Sequence, residues 1–171
     1  MFGFDHQTPA PPGAQLPPLP ESLGLAPAPA GGQKANRMSI VLFSGTTDKL
    51  LAASILATGA AAMGMEVDLF LTTWGIVAFR KDDYKTNTRV SRDYEDYGPV
   101  MAERMHAKHA PTWMENLLGA REIGDVKIAA CSMTMELFGL TLTDLEPIVD
   151  EITGVASFVE RARESQISLF I

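Results

Sequence analysis

A short, uninterrupted apolar run, Met38-Ser39-Ile40-Val41-Leu42-Phe43, cut off at once by Ser44-Gly45, restricts this chain more than any other feature. A strand with one wet face alternates apolar and polar residues. A continuous run reads instead as a strand covered on both faces, the environment of a parallel sheet flanked by helices. Comparable stretches recur at Glu66 to Leu71 and at Val126-Lys127-Ile128-Ala129-Ala130, and shorter ones at Gly154-Val155-Ala156-Ser157 and Ile167 to Ile171. Between them the period turns helical. Thr46, Thr47 or Asp48 caps a helix that carries Leu50, Leu51, Ile55 and Leu56 to a stop at Met63-Gly64. Trp74-Gly75 breaks the second strand, and Ile76 to Phe79 form a helical turn ending at Arg80-Lys81. Residues 82 to 98 show no apolar period and read as a mobile surface excursion or lid. Helices are expected over Pro99 to Ala107 and Thr112 to Ile123, with Gly124 as the stop of the second, and over Phe158 to Glu164. A capping box at Thr143-Asp144-Leu145-Glu146 opens a further helix through Ile152. Strand and helix alternate throughout, so the expected fold is α/β: a mostly parallel sheet of about five strands with helices on both faces.

With 171 residues, 46% of them apolar and 20% charged, the chain supports one domain with a substantial core. That domain is expected over residues 38–171. Residues 1–37 read as a disordered tail, because positions 8 to 32 hold eight prolines among small residues and too little large apolar surface to offset ordering entropy. A net charge of −7 argues against a partner with a phosphate backbone. The N-terminus carries neither a cationic segment nor an apolar core of a secretory signal. The charge-free run from Leu50 to Met65 is shorter than the ~20 residues a spanning helix needs, so a buried helix is expected rather than a membrane span. The one cysteine, Cys131, forms no internal disulfide, and a reducing cytoplasmic setting is the expectation.

Reactive groups in an open parallel sheet collect outside the carboxyl ends of the strands. Three loops meet that condition here: Ser44-Gly45-Thr46-Thr47-Asp48-Lys49, Thr72-Thr73-Trp74-Gly75 and Cys131-Ser132-Met133. Cys131 is thus expected at a strand end, with Ser132 as the cap of the next helix. Backbone N–H groups there favour a thiolate, and Lys49, Arg80 or Lys81 would add to it. The plain alternative is a cysteine that serves as a small buried hydrophobe.

Cys131-Ser132-Met133-Thr134-Met135-Glu136, followed by Gly139, resembles the Cys-x-Met-Ser-Met-Asp segment of DsrE-like proteins. The likeness is to the larger DsrE subgroup, whose members are sometimes labelled peroxiredoxin family proteins. Ser44-Gly45-Thr46 with Asp48-Lys49, Ala61 to Val67, Phe70 with Trp74-Gly75, Arg80-Lys81, Gly154-Val155 and Leu169-Phe170-Ile171 are similar to the pattern as well. Thr134 and Glu136 stand where Ser and Asp are more usual, and each keeps its hydroxyl or carboxylate. The resemblance implies a Rossmann-like, flavodoxin-like sheet, a homo-oligomer, and a cysteine that holds sulfane sulfur as a persulfide in a relay with rhodanese-type donors and TusA-type carriers. It points to Cys131 as the reacting group, with Ser44, Gly45, Thr46, Asp48, Lys49, Trp74, Gly75, Ser132 and Met133 around it. With one cysteine, the chain takes its second thiol from another protein.

Two readings from other classes stand beside the sulfur carrier. One is a non-catalytic oligomeric scaffold subunit of the same fold; the other is a flavodoxin-like flavin or nucleotide binder. The first loop has neither the glycine spacing of a dinucleotide turn nor a P-loop Gly-Lys-Ser/Thr, and no cofactor is expected. His106 and His109 share a helical face but lack a third ligand, and Met133 and Met135 read as core fillers, so no metal site is expected. Absence of Cys-x-x-Cys argues against a self-contained disulfide oxidoreductase.

Overall fold

The computed structural model describes residues 34–171. Five strands, β1 (Ala35–Leu42), β2 (Glu66–Leu71), β3 (Val126–Cys131), β4 (Glu151–Thr153) and β5 (Ser165–Phe170), form one sheet in the order β4-β3-β2-β1-β5. Every pairing in it is parallel. The chain is therefore α/β with the Rossmann-like, flavodoxin-like layering expected of it. Its helices are α1 (Thr47–Ala62), α2 (Trp74–Ala78), α3 (Asp83–Thr86), α4 (Gly98–Ala107), α5 (Trp113–Ile123), α6 (Ser132–Phe138) and α7 (Val155–Arg163). No helix among the described residues is long and apolar enough to cross a membrane.

The strand order explains the layers. The crossovers from β1 to β4 all step the same way, whereas the last step returns past them to pair β5 with β1. Right-handed crossovers that reverse direction place their helices on opposite faces. Accordingly α1 and α5 pack together on one side of the sheet, and α7 lies on the other, where Phe158 stacks on Phe70 of β2 at 4.5 Å. Alternation along β2 matches this arrangement. Val67, Leu69 and Leu71 point toward α1 and α5, and Asp68 and Phe70 point toward α7, all of them buried. The α1–α5 contact is close because α1 presents Ala53, Ala57, Ala60 and Ala61 to Met114, Leu117 and Ala120. Under α7 the buried Asp68 accepts from Arg161 Nε at 2.8 Å, and its Oδ1 has no hydrogen-bond partner.

Three stretches differ from the sequence reading. The expected helix from Thr143 to Ile152 does not form. Its capping box lies two residues earlier, where Asp144 accepts from the N–H and hydroxyl of Thr141 on a single 3-10 turn, Leu142–Asp144. Pro147 explains the stop, since it pushes the preceding residue out of the helical region and would remove an interior hydrogen bond. The chain then runs irregularly with Leu145, Ile148 and Val149 in the core. The fourth strand is Glu151–Thr153 rather than 154–157, and Gly154 caps α7, which starts three residues before Phe158. Residues 82–98 are also less featureless than their composition. They hold α3 and a 3-10 segment, Arg92–Tyr97, and are tied to the first loop by Asn87 Nδ2 donating to the Gly45 carbonyl (2.9 Å) and Thr47 N–H to the Arg89 carbonyl (2.6 Å). The tail placed at residues 1–37 lies, up to residue 33, outside the described residues. β1 starts at Ala35, three residues ahead of Met38.

Candidate thiol site

The carboxyl end of the sheet is built by two interlocked loops and one strand–helix junction. After β1, the Phe43 carbonyl accepts the Gly75 N–H (2.9 Å), and the Leu42 carbonyl accepts the Thr72 N–H (3.1 Å). The loops approach so closely that a Cβ on Gly75 would sit 2.2 Å from the Leu42 carbonyl oxygen, and one on Gly45 would sit 2.4 Å from that of Trp74. Both glycines are thus required by contact distance and reach no reacting group themselves. Between them Thr73 adopts φ 50°, ψ −115°, a costly conformation for a β-branched residue. Its N–H donates to Thr134 Oγ1 at 3.3 Å.

Cys131 ends β3 and is the residue from which α6 starts. The sequence reading gave the cap to Ser132, which is instead the first helical residue and is exposed. The thiol is 6% exposed. Burial raises its pKa, but hydrogen bonds from the N–H and hydroxyl of Thr134, the hydroxyl of Thr72 and the N–H of Met133 outweigh that, leaving it below the ordinary cysteine value. Thr72 and Thr134 are themselves linked, Oγ1 to Oγ1, at 3.2 Å. Their positions come from the fold: Leu71 is in register with Ala130, so Thr72, the next residue, comes level with Cys131.

The other expected site residues fall into separate groups. Ser44 is buried and shares a 3.1 Å hydrogen bond with Thr46, whose side chain does not cap α1. Asp48 turns away from the thiol and accepts from the N–H (3.1 Å) and hydroxyl (2.6 Å) of Ser91. Burial raises its pKa, and these bonds with the Thr46 hydroxyl bring it below the usual Asp value. Lys49 is exposed on the first turn of α1. Arg80 faces Asp83 at 3.8 Å, and the Lys81 N–H donates to the Asp144 carbonyl. The leading causes of the Cys131 shift are burial and hydrogen-bond donors rather than these cations. Trp74, 56% exposed, lies 6.0 Å from Phe138 of α6, and Met133 is 70% exposed, so the approach to the thiol is apolar. Ser44, Gly45, Thr46 and Trp74 line a small cleft of about 420 Å³ that they share with residues 86–89 and that Cys131 does not line. Sequence reasoning missed Thr72 and Thr134 as thiol partners. The available signal was a hydroxyl three residues beyond a cysteine at a strand end, the spacing of a side chain that turns back on a helix start.

Fold and site together define a parallel α/β domain with one buried cysteine at the carboxyl edge of its sheet. The model of the DsrE/DsrF/DrsH-like family matches residues 34–101 and 90–170, and the chain belongs to that family. It is 34% identical over 159 residues to an uncharacterized protein, YrkE, of Bacillus subtilis, covering 81% of this chain and 99% of that one. It is 29% identical over 160 residues to the sulfur carrier protein DsrE2 of Allochromatium vinosum, covering 79% and 98%. Among solved structures, a protein of unknown function from Methanobacterium thermoautotrophicum, MTH1491, aligns with a TM-score of 0.47 at 17% identity over 79% of this chain and 98% of that one.

Proposed function

We propose that the protein is a sulfur carrier that holds sulfane sulfur as a persulfide on Cys131 and passes it to a partner thiol. The observation that carries this reading is the place of the chain's one cysteine, buried at the end of β3 where α6 starts, with its pKa lowered by the donors of Thr134, Thr72 and Met133 despite burial, which favours the nucleophilic thiolate. In the transfer, the Cys131 thiolate attacks the terminal sulfur of a donor persulfide. The donor S–S bond breaks, its thiolate leaves with the bonding pair, and Cys131 carries the new S–S bond. A partner thiolate reverses these roles, so the relay is redox-neutral. The same donors that favour the thiolate favour the persulfide anion. The chain has one cysteine, so donor and acceptor thiols come from other molecules. We assign these to rhodanese-type donors and TusA-type carriers, acting with a homo-oligomer of this chain in the cytoplasm. The relative named as a sulfur carrier, DsrE2, supports the sulfur-carrier reading.

Intact-mass spectrometry after incubation with polysulfide or a persulfidated rhodanese tests it. The expected result is a gain of one or more sulfur atoms that dithiothreitol removes and Cys131→Ser abolishes. A wild-type protein that stays unmodified while its thiol still reacts with iodoacetamide overturns the proposal.

A further inference from the structure

A second cleft lies apart from the thiol, with Cys131 outside its lining. It is a cleft of about 1280 Å³ between the body of the domain and the arch formed by residues 84–112. Cys131 does not line it, so a ligand held there is independent of sulfur transfer. The cleft has two apolar walls. The body supplies Leu51 of α1 and Trp113 of α5, and the arch supplies Met101 and Met105 of α4. Residues 98, 101, 102, 105 and 106 of α4 all face the cleft, the spacing of one side of a helix. On that side Met101 and Met105 are half-buried, and the main neighbour of α4 is the 3-10 segment before it. Methionine side chains are the apolar groups best able to adapt to ligands of different shape.

The mouth is cationic, against the trend of a chain with net charge −7. Arg89 and Arg92 line it, and neither forms an ion pair among the described residues. The Arg89 carbonyl accepts the Thr47 N–H at 2.6 Å, which fixes the backbone from which that side chain extends. Two acids share the lining. Glu115 is occupied by the N–H and hydroxyl of Thr112 in the cap of α5, which leaves Glu95 alone against the two arginines. An apolar trough of this size with guanidinium groups at its mouth matches one ligand chemistry, because a guanidinium fork binds a carboxylate, sulfonate or phosphate in two parallel hydrogen bonds.

We propose that the cleft beneath α4 binds a lipophilic anion, a free small molecule whose apolar body lies between Met101, Met105 and Trp113 and whose acidic head meets Arg89 and Arg92. The test is calorimetric titration of the full chain with decanoate below its micelle concentration, beside decanol and decyltrimethylammonium. Saturable binding of one decanoate per chain is expected, on the order of tenfold tighter than either comparator. The double substitution Arg89→Gln, Arg92→Gln is expected to weaken decanoate by about tenfold and leave decanol unchanged. Met105→Glu, on a helix whose loss of packing is small, is expected to abolish binding with an unchanged melting temperature. Equal affinity for the three amphiphiles, insensitivity to both sets of substitutions, absence of saturable binding, or association only with anionic phospholipid vesicles would each overturn the proposal.

Discussion

Thr134→Val removes one hydroxyl from the thiol site with almost no change of shape. That hydroxyl is one of the donors that lower the Cys131 pKa, shares a 3.2 Å hydrogen bond with Thr72 and accepts the Thr73 N–H at 3.3 Å. A hydrogen bond to a charged group contributes about 1.5–3 kcal/mol, and about 1.4 kcal/mol is a factor of ten. The ratio of thiolate to thiol at neutral pH should therefore fall about tenfold or more, because the lost bond favoured only the charged form. Stopped-flow alkylation with iodoacetamide across a pH series reads this directly, since the thiolate is the reacting species. The wild-type midpoint is expected below the ordinary cysteine value, and the Val variant's midpoint above the wild type's. Thr134→Ser, which restores a hydroxyl, should recover most of the shift. If Val and wild type titrate together, the two backbone N–H groups alone hold the thiolate and the hydroxyl pair has no electrostatic role.

Asp48→Ala unties residues 89–91 from α1, so hydrogen exchange at those amides should rise about tenfold while the sheet stays protected. Because the folded Asp48 pKa is lowered, the tie is fully present above the ordinary carboxylate value and is lost as pH falls through the lowered one; wild-type exchange there should rise below about pH 4, and the Ala variant's extra exchange should vanish. Gly75→Ala places a Cβ 2.2 Å from the Leu42 carbonyl oxygen and should cost more than about 3 kcal/mol in urea denaturation; a loss under about 1 kcal/mol would mean the two loops are not interlocked. Arg161→Leu leaves the buried Asp68 carboxylate unpaired and should cost about 3–5 kcal/mol, much of it recovered in Asp68→Ala, Arg161→Leu; a double-variant loss equal to the sum of the Asp68→Ala and Arg161→Leu losses would show that the pair is not energetically coupled.

Continuous apolar runs at 38–43, 66–71 and 126–130 led to the three central strands because strands buried on both faces have no choice of polar positions. β4 and β5 were harder. β4 is a three-residue edge with a single large apolar side chain, Ile152, too short for a period to be read. Thr143 to Glu146 satisfied a local capping pattern that Pro147 defeats. At the site, Cys131 and its loop could be read because position in a parallel sheet is set by strand order. What could not be read was direction: Asp48, one residue beyond the Thr47 that starts α1, turns to Ser91, and Lys49 beside it is exposed. Thr72 reaches Cys131 through register between strands more than 50 residues apart, a relation that no short motif records.

β1 ends up between β2 and β5, and the two neighbours reach it at very different times during synthesis. β2 comes after it by one helix, whereas the Ser39 hydroxyl meets that of Ser165 across 126 residues of sequence. Until residues 165–170 have emerged, one full edge of β1 has open N–H and carbonyl groups. Such an edge is a template for pairing with another nascent chain. The sheet's central order therefore makes the last strand its guard: shortening or slowing the delivery of β5 should raise aggregation on the ribosome well before it alters the thiol at the far side of the sheet.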